Sequence, residues 1–227
     1  MNDTAGSYYI APRCDAPLRI LHVDDDLIVV DKPAFLYTVP GRGPENADSV
    51  ITRLLPDYPE AVIIHRLDLD TSGLLVVPRT ARARSELSKQ IRERTIGKGY
   101  EAMVWGVVEE AAGIIDLPLA PDPERRPRSR VDPAGKPSQT GYRVLSRDPG
   151  RNRTHLRLDP VTGRQHQLRL HLASLGHPIL GCDLYAHEAA LAASPRLLLH
   201  ACELAFAHPA DGRPVRYASS PDSWPDW

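Results

Sequence analysis

The chain has 227 residues, of which 42% are hydrophobic and 25% are charged, and its 28 Lys or Arg residues nearly balance its 29 Asp or Glu residues. These values are ordinary for a globular domain, and with three cysteines they exclude a chain that is disordered throughout, a collagen-like chain and a disulfide-rich chain. No apolar run approaches the roughly 18 residues that a membrane span needs, and the N-terminus lacks the pattern of a signal peptide. The sequence therefore predicts a cytoplasmic protein without membrane segments.

The predicted elements begin after residue 17, because residues 1–17 contain two prolines and little periodic apolar pattern and are expected to form a loose N-terminal arm. In chain order, apolar runs and caps predict a strand at Leu27–Asp31, a helix at Asp48–Leu55, strands at Ala61–Ile64 and Leu74–Val77, a helix from an N-cap at Thr80 to about Arg94, and a strand at Tyr100–Val108.

The second half of the chain is predicted to begin with a long surface loop at residues 120–137, which carry five prolines and five bases. It continues with strands at Gln139–Ser146 and Thr154–Leu158, a helix at Gln165–Leu175 capped by Gly176, and strands at Leu197–Phe206 and Val215–Ala218. Strands outnumber helices and often follow one another directly. This order predicts one α+β domain over residues 18–227, with a mixed, largely antiparallel sheet flanked by helices and loops.

The basic residues are unevenly distributed along the chain. Residues 79–98 and residues 143–171 each hold seven bases against two acids, and Arg outnumbers Lys by 24 to 4. Either segment alone is typical of a solvated helix face, and the Arg bias alone is compatible with genome composition. Two such segments in a nearly neutral protein favour a groove that binds a polyanion.

Two polar segments are candidates for chemistry. In residues 65–73, HRLDLDTSG, ionisable side chains lie between two apolar runs, which indicates either a cleft wall or a turn whose carboxylates cap backbone N–H groups. In residues 160–171, Thr162 and Gly163 are predicted to open a helix that carries Gln165, Arg169 and Leu172 on one face, with His166 beside them. This helix terminus suits a phosphate, but spacing alone favours an ordinary surface helix.

Several functional classes are excluded by missing motifs. The chain has no P-loop, no GxGxxG after a strand, no CxxC pair and no GxSxG elbow. Its nine histidines form no strong frame for metal ligands. We therefore expect no nucleotide cofactor and no metal.

Together the two polar segments resemble the RluA family of pseudouridine synthases, whose signature is HRLDxxTSG. The resemblance extends from about Val23 to the C-terminus through further family-like segments: DLIVVDKPAFLYTVPGRG, KGYEAMVWG, GKPSQTGYRVL, TGRQHQLRLHLASLGHPILGCDLY and RLLLHACELAFAHP. The size and the VPGRG segment are most similar to the dual-specificity members that act on 23S rRNA and tRNA, and the short N-terminus predicts that no S4 RNA-binding domain is present. Two positions depart from the family pattern. Gly97 replaces the first Lys of a Lys-Lys pair, and Cys182 is interpreted as one extra residue that shifts the turn before Tyr185.

The resemblance implies an enzyme that isomerises a loop uridine of structured RNA to pseudouridine after base flipping, without cofactor or metal, and acts as a monomer. By its place in HRLD, Asp68 would be the catalytic carboxylate. Tyr100 would stack on the uracil and assist proton transfer, and Arg169 would pair with Asp68. RNA-binding roles fall to Arg66, Lys98, Arg164, His166, Gln167, Arg125 and Arg126.

Residue patterns alone leave the catalytic carboxylate open, since Asp68 and Asp70 would point to the same side of an extended segment. Attack at C1′, glycal formation and addition to the uracil ring all remain open as routes. Two other functions are considered: a hydrolase that uses Asp68 and Asp70 as a carboxylate pair, and a non-catalytic RNA-binding module. Free uracil among the products would indicate the hydrolase, whereas the presence of Asp68, Tyr100 and Arg169 together argues against the binding module.

Overall fold

A nine-stranded sheet organises the protein in the computed structural model, which describes residues 9–221 and 224. Its strands are β1 (Arg19–Val23), β2 (Leu27–Lys32), β3 (Ser72–Pro78), β4 (Gly97–Trp105), β5 (Ala112–Asp116), β8 (Gln139–Asp148), β9 (Arg153–Pro160), β10 (Leu199–Ala207) and β11 (Pro214–Ala218). Strands β6 (Leu119–Pro121) and β7 (Ser129–Val131) form a separate hairpin.

The strand order is β1-β2-β3-β10-β4-β9-β8-β5, with β11 added to β10. Among the described strand pairs, only β3 and β10 run parallel, so the predicted mixed and largely antiparallel sheet is confirmed. The parallel pair places the start of β3 beside β10, and β10 in turn pairs with β4. The loop before β3 therefore opens next to the first half of β4.

Both faces of the central strands are buried, which explains the continuous apolar runs Leu27–Val30 in β2 and Leu74–Val77 in β3. Side chains of alternate residues pack on opposite faces: Ile28 and Val30 lie in one core cluster, and Leu27 and Val29 lie in another. Strands β4 and β9 contribute to a third cluster. This double burial follows the rule that strands covered on both faces lose the alternation of polar and apolar residues.

Four short helices cover the sheet: α1 (Val50–Leu54), α2 (Ala81–Glu93), α3 (Gln167–Ser174) and α4 (Glu188–Ala192). The predicted cap of α2 is confirmed, because the Thr80 hydroxyl accepts a hydrogen bond from the Ala83 N–H. Helix α2 buries Ala83 and Leu87, and leaves most of its bases exposed. Gly176 follows the end of α3 with a φ of +88°, as expected of a C-terminal glycine.

Three sequence-based predictions of elements are wrong. Ala61–Ile64 is not a strand: Ala61 closes a turn on the Tyr58 carbonyl, and Val62 bonds only to the Pro78 carbonyl at the end of β3. Strand β4 ends at Trp105, because Gly106 turns the chain with a φ of +85°. The predicted loop 120–137 instead contains most of the β6–β7 hairpin.

The predicted N-terminal arm is described only from Tyr9, and residues 1–8 lie outside the described residues. Residues 9–17 have no regular structure. They are nevertheless held in place, since the Asn46 side chain bonds to Tyr9 and Ala11, and the Arg53 guanidinium donates to the carbonyls of Cys14 and Ala16.

Candidate active site

The loop that precedes β3 is fixed by the segment that follows β2. The Thr38 hydroxyl donates to the Leu67 carbonyl at 3.0 Å and accepts from the Leu67 N–H at 3.3 Å. Two donors meet at the Leu69 carbonyl, the Phe35 N–H at 2.9 Å and the Lys32 ammonium at 3.1 Å. Because the residues on both sides of Asp68 are anchored, the backbone of Asp68 has little freedom.

The Lys32 side chain is fully buried, and its ammonium also donates to the carbonyls of Pro33 and Leu36. Burial lowers the pKa of Lys32 to about 7, against the opposing effect of nearby carboxylates. Lys32, the last residue of β2, thus supports the loop that carries Asp68.

Asp68 and Asp70 do not face the same way, contrary to the extended geometry considered above. The Thr71 N–H bonds to the Asp68 carbonyl at 3.2 Å, so the chain forms a turn through Leu69 and Asp70. Of the two carboxylates, only Asp68 lines the large cavity described below. Asp70 lies 3.7 Å from the Arg169 guanidinium instead. Asp70 is thus bound to Arg169 and does not line the cavity, which argues against the two carboxylates acting as a pair on one glycosidic bond.

Arg169 is fully buried in α3 and is surrounded by acceptors. Its guanidinium is hydrogen-bonded to Asp183, contacts Asp70, and donates to the Cys182 sulfur at 3.3 Å. The predicted ion pair with Asp68 is therefore wrong for this structure, because Asp70 and Asp183 take the guanidinium. Asp68 still lies near enough to contribute, with other neighbours, to a raised pKa of Arg169.

The segment after α3 has the family spacing, which corrects the interpretation of Cys182 as an extra residue. Gly181 and Tyr185 are four positions apart, as in the pattern GDxxY, so Cys182 occupies the place of the Asp. The neighbouring Asp183 supplies the carboxylate to Arg169 from a largely exposed position. Tyr185 consequently lies at the site, with its ring 5.8 Å from the Arg169 guanidinium.

His166 connects this segment to Asp68. Its Nε2 atom is 3.9 Å from an Asp68 carboxylate oxygen, and its Nδ1 atom is 2.9 Å from the Tyr185 hydroxyl. Burial lowers the pKa of His166, and nearby Arg169 and Arg66 act in the same direction against Asp68. The imidazole is therefore neutral at pH 7.

Tyr100 and His65 form the apolar part of the site. Tyr100 packs between two core clusters, and burial together with the Asp68 charge raises the pKa of its hydroxyl well above the usual range. The Val76 N–H donates to His65 Nε2 at 3.1 Å, and burial lowers the pKa of His65 to about 3. Both side chains are neutral under ordinary conditions.

These groups open into a cavity of about 800 Å³, which is large enough for a nucleotide and part of its flanking chain. The cavity is lined by seven Arg or Lys residues against three carboxylates. Arg157 and Arg169 pair with carboxylates. The other five bases have no carboxylate partner in the described part of the chain: Arg66, Arg92, Arg94, Lys98 and Arg164. The cavity therefore presents a surplus of unpaired positive charge.

The structure brings together most of the predicted site residues, since the lining includes Arg66, Asp68, Lys98, Tyr100, Arg164, His166 and Arg169. Gln167 also borders the cavity, but its amide is buried and bonded to Thr162, Thr140 and two backbone groups. The Gln167 side chain therefore ties α3 to the start of β8 and to the segment after β9. It has little hydrogen-bonding capacity left for RNA.

Arg125 and Arg126 do not line the cavity, and Arg125 pairs with Asp122 in the loop of the β6–β7 hairpin. The predicted helix opening at Thr162 and Gly163 is also wrong, because α3 begins at Gln167. Gln165 therefore precedes the helix and is exposed, whereas Arg169 and Leu172 are buried. The three residues therefore do not share one face of α3, as the sequence had predicted.

Several site residues were not predicted as such. Asp183, Tyr185 and Thr38 contact the candidate groups directly, and Asp70 was considered only as a rival of Asp68. The GDxxY spacing is a signal that could have identified Tyr185. The role of Thr38 depends on a loop packing that no local pattern shows.

Comparisons with known proteins agree with this geometry. The sequence model of the family described as RNA pseudouridylate synthase matches residues 26–174. The chain is 48% identical over 199 residues to the dual-specificity RNA pseudouridine synthase RluA of Yersinia pestis, covering 87% of this chain and 96% of that protein. It is 48% identical over 206 residues to the protein of the same name from Escherichia coli strain K12, covering 90% and 94%.

Among solved structures, human RNA pseudouridylate synthase domain containing 1 superposes with a TM-score of 0.78 at 26% identity, covering 92% of this chain and 86% of that one. The chain therefore belongs to the RNA pseudouridylate synthase family, and within it to the RluA type. It is an RNA pseudouridine synthase, an isomerase.

Within residues 9–221 and 224, no helix has the length and apolar character to cross a membrane. No group of three or more His, Cys, Asp or Glu side chains is placed to hold a metal ion in that part of the chain.

The buried carboxylate of Asp70 predicts a specific dependence of stability on pH. Burial, and then the nearby Asp183 and Asp68 carboxylates, raise the pKa of Asp70 against the opposing effects of Arg169 and Lys32. A folded-state pKa above the unfolded value means that the ionised group destabilises the fold at neutral pH, and that this cost disappears as pH falls below the unfolded value. We expect Asp70→Asn to raise Tm at about pH 7, with a gain that shrinks toward about pH 4.

The matched control is Asp183→Asn, since Asp183 contacts the same guanidinium but is 61% exposed. It should give no gain in Tm at neutral pH. Thermal melts of the three proteins across this pH range make the comparison, and a lower Tm of Asp70→Asn at neutral pH would contradict the prediction.

Proposed function

We propose that Asp68 is the catalytic carboxylate of this pseudouridine synthase. The observation that carries the proposal is its placement: Asp68 faces the basic cavity beside Tyr100, whereas Asp70 turns behind it toward Arg169. The anchors at Leu67 and Leu69 hold the intervening carboxylate in one position, as catalysis by orientation requires. The family resemblance at HRLD supports the same residue.

The reaction is an isomerisation in which the N1–C1′ bond of uridine breaks and C5 bonds to C1′. Atoms and electrons are conserved, so the chain's own residues suffice for the steps described here. The Asp68 carboxylate acts at the sugar or at the uracil ring, and the three routes considered above all use it in ionised form. When C5 bonds to C1′, C5 loses a proton and N1 gains one, so the exchange balances. Tyr100, whose hydroxyl stays protonated because burial raises its pKa, takes part beside the flipped base as a hydrogen-bond donor.

The target uridine leaves its stack before its sugar reaches Asp68, which costs a few kcal/mol and less in a loop. Arg66 is exposed next to Asp68 and has no carboxylate partner among the described residues. It is therefore free to fill the space that the base vacates or to hold the flipped nucleotide.

The RNA backbone is held by the unpaired bases of the cavity and of the hairpin loop. Arg92, Arg94 and Lys98 lie at one side of the cavity, on the end of α2 and the start of β4, and Arg164 lies in the β9–α3 loop. Arg126 extends this surface in the hairpin loop, and the Gln165 amide joins that loop to the site through the Pro127 carbonyl. Arginines without protein partners are suited to bidentate contacts with phosphates.

The substrate is proposed to be a stem-loop of rRNA or tRNA with the target uridine in the loop. Support comes from the relatives at 48% identity, which are named dual-specificity RNA pseudouridine synthases, and from a cavity that accommodates a flipped nucleotide. A monomer is proposed, because one cavity of this size suits a single RNA loop. The three cysteines are all free, which supports a cytoplasmic location.

The assignment of Asp68 predicts that Asp68→Asn abolishes product formation while RNA still binds, because the change keeps the shape of the side chain and removes its charge. Asp70→Asn, the matched control two residues away, should change the rate only modestly. Chemical mapping of pseudouridine in a stem-loop substrate, with binding measured separately, tests both variants. Full activity of Asp68→Asn would disprove the assignment.

The proposed RNA surface predicts a steep dependence of RNA binding on salt, with a slope of several in a log–log plot. Arg92→Ala should reduce that slope by about one, because one phosphate contact is lost. Arg82→Ala is the control: Arg82 lies on the same helix but is bound to Asp26 and does not line the cavity. Equal slopes for Arg92→Ala and the unchanged protein, or activity only on an assembled ribosomal particle, would contradict this surface.

A further inference from the structure

The hydroxyl of Tyr185 connects the β6–β7 hairpin to His166 through two hydrogen bonds. The Ser129 N–H lies 2.8 Å from the Tyr185 hydroxyl oxygen, and that oxygen lies 2.9 Å from His166 Nδ1. A backbone N–H can only donate, so the hydroxyl accepts from Ser129. The phenolic proton remains available for donation to His166 Nδ1, 2.9 Å away.

The Asp68 carboxylate favours one tautomer of His166, because it can only accept a hydrogen bond and it faces Nε2, which leaves Nδ1 as the acceptor for Tyr185. Since Nδ1 accepts the phenolic proton, the ring proton resides on Nε2, which is the atom 3.9 Å from the Asp68 carboxylate. The arrangement presents an N–H donor, rather than a lone pair, to the carboxylate. An imidazole in the other tautomer would repel Asp68.

The ring of Tyr185 adds two packing contacts that hold this arrangement. It lies edge-on to the His166 ring at 5.8 Å between centroids, and it lies 5.8 Å from the Arg169 guanidinium. His166 itself has a φ of +56°, in the left-handed region that is uncommon for a residue with a side chain. Such a backbone persists only where its surroundings impose it.

We propose that Tyr185 and His166 are positioning residues for the isomerisation, acting as a hydrogen-bond relay from the β6–β7 hairpin to Asp68. The relay rests on the proposed role of Asp68. The 3.9 Å gap between His166 Nε2 and Asp68 shortens to a hydrogen bond when the substrate fills the cavity and excludes water. Ser129 belongs to the hairpin that carries Arg126. RNA bound to this hairpin therefore holds Ser129 in place and, through it, the hydrogen bond to Tyr185.

The charges around His166 define the expected dependence on pH. It faces Asp68 and Arg66 from the loop before β3, Arg169 from α3, and Asp183 and Tyr185 from the segment after α3. Tyr185 occupies Nδ1, so it opposes a second proton on the ring. Loss of that hydroxyl lets the imidazole become a cation beside Asp68 at higher pH than in the unchanged protein.

The experiment measures the single-turnover rate against pH on a stem-loop, RNA affinity and Tm for a set of variants. Tyr185→Phe should lower the rate about tenfold, as expected for one oriented hydrogen bond, with RNA affinity unchanged. The acidic limb of its pH–rate profile should move to higher pH. Tyr142→Phe is the matched control, because the Tyr142 side chain is buried in the core and its hydroxyl has no hydrogen-bond partner among the described residues.

Two variants of His166 separate positioning from folding. His166→Gln retains an acceptor for Tyr185 and a donor for Asp68, so it should keep most of the rate and lose the titration of the imidazole. His166→Leu has neither group and should lose at least as much rate as Tyr185→Phe. Asp68→Asn is assayed alongside: its inactivity upholds the role of Asp68 on which the relay rests, whereas its activity would remove that role and the relay together.

With Asp68→Asn inactive, two results would overturn the relay alone. One is a rate and pH profile of Tyr185→Phe that match those of Tyr142→Phe. The other is equal rates for His166→Gln and His166→Leu.

Discussion

The guanidinium of Arg169, 1% exposed, is the buried charge around which the active site is assembled. Moving such a charge out of water is costly, and the cost is offset only by close acceptors and good geometry. The acceptors come from two segments distant in sequence: Asp70 in the turn before β3, and Cys182 and Asp183 after α3. One side chain of α3 therefore joins both segments to the helix.

Asp68 benefits from this arrangement without being the direct partner of Arg169. Asp70 and Asp183 engage the guanidinium from behind, which leaves the Asp68 carboxylate facing the cavity. The Thr38, Phe35 and Lys32 contacts then hold its backbone from the other side. A carboxylate held in this way has a fixed position, which is what the proposed catalytic role requires.

The sequence predicted those features that depend on local chemistry. The β-branched run at β2 predicted a buried strand, and the Thr80 hydroxyl predicted a helix N-cap. The HRLDxxTSG motif indicated a polar segment, and the structure places Asp68 of that segment at the cavity. What failed were the predictions that depend on distant parts of the chain. The partner of Arg169 was mistaken because Asp183 competes for it. Gln167 was assigned to RNA although the start of β8 and the segment after β9 take up the hydrogen bonds of its amide. Ala61–Ile64 has the composition of a strand but no neighbouring strand edge to pair with.

The buried guanidinium of Arg169 is expected to hold the Asp70 turn and the segment after α3 in place next to Asp68, and the most direct test is the single-turnover rate of Arg169→Met and Arg169→Lys, with RNA affinity measured separately. Without the guanidinium, Asp70 and Asp183 lose their shared partner, and the loop that carries Asp68 loses its connection to α3. Arg169→Met should therefore lose most activity, with much smaller effects on RNA affinity. Arg169→Lys should restore part of the charge effect without the bidentate geometry. An unchanged rate in Arg169→Met, or a loss fully explained by weaker RNA binding, would contradict the account.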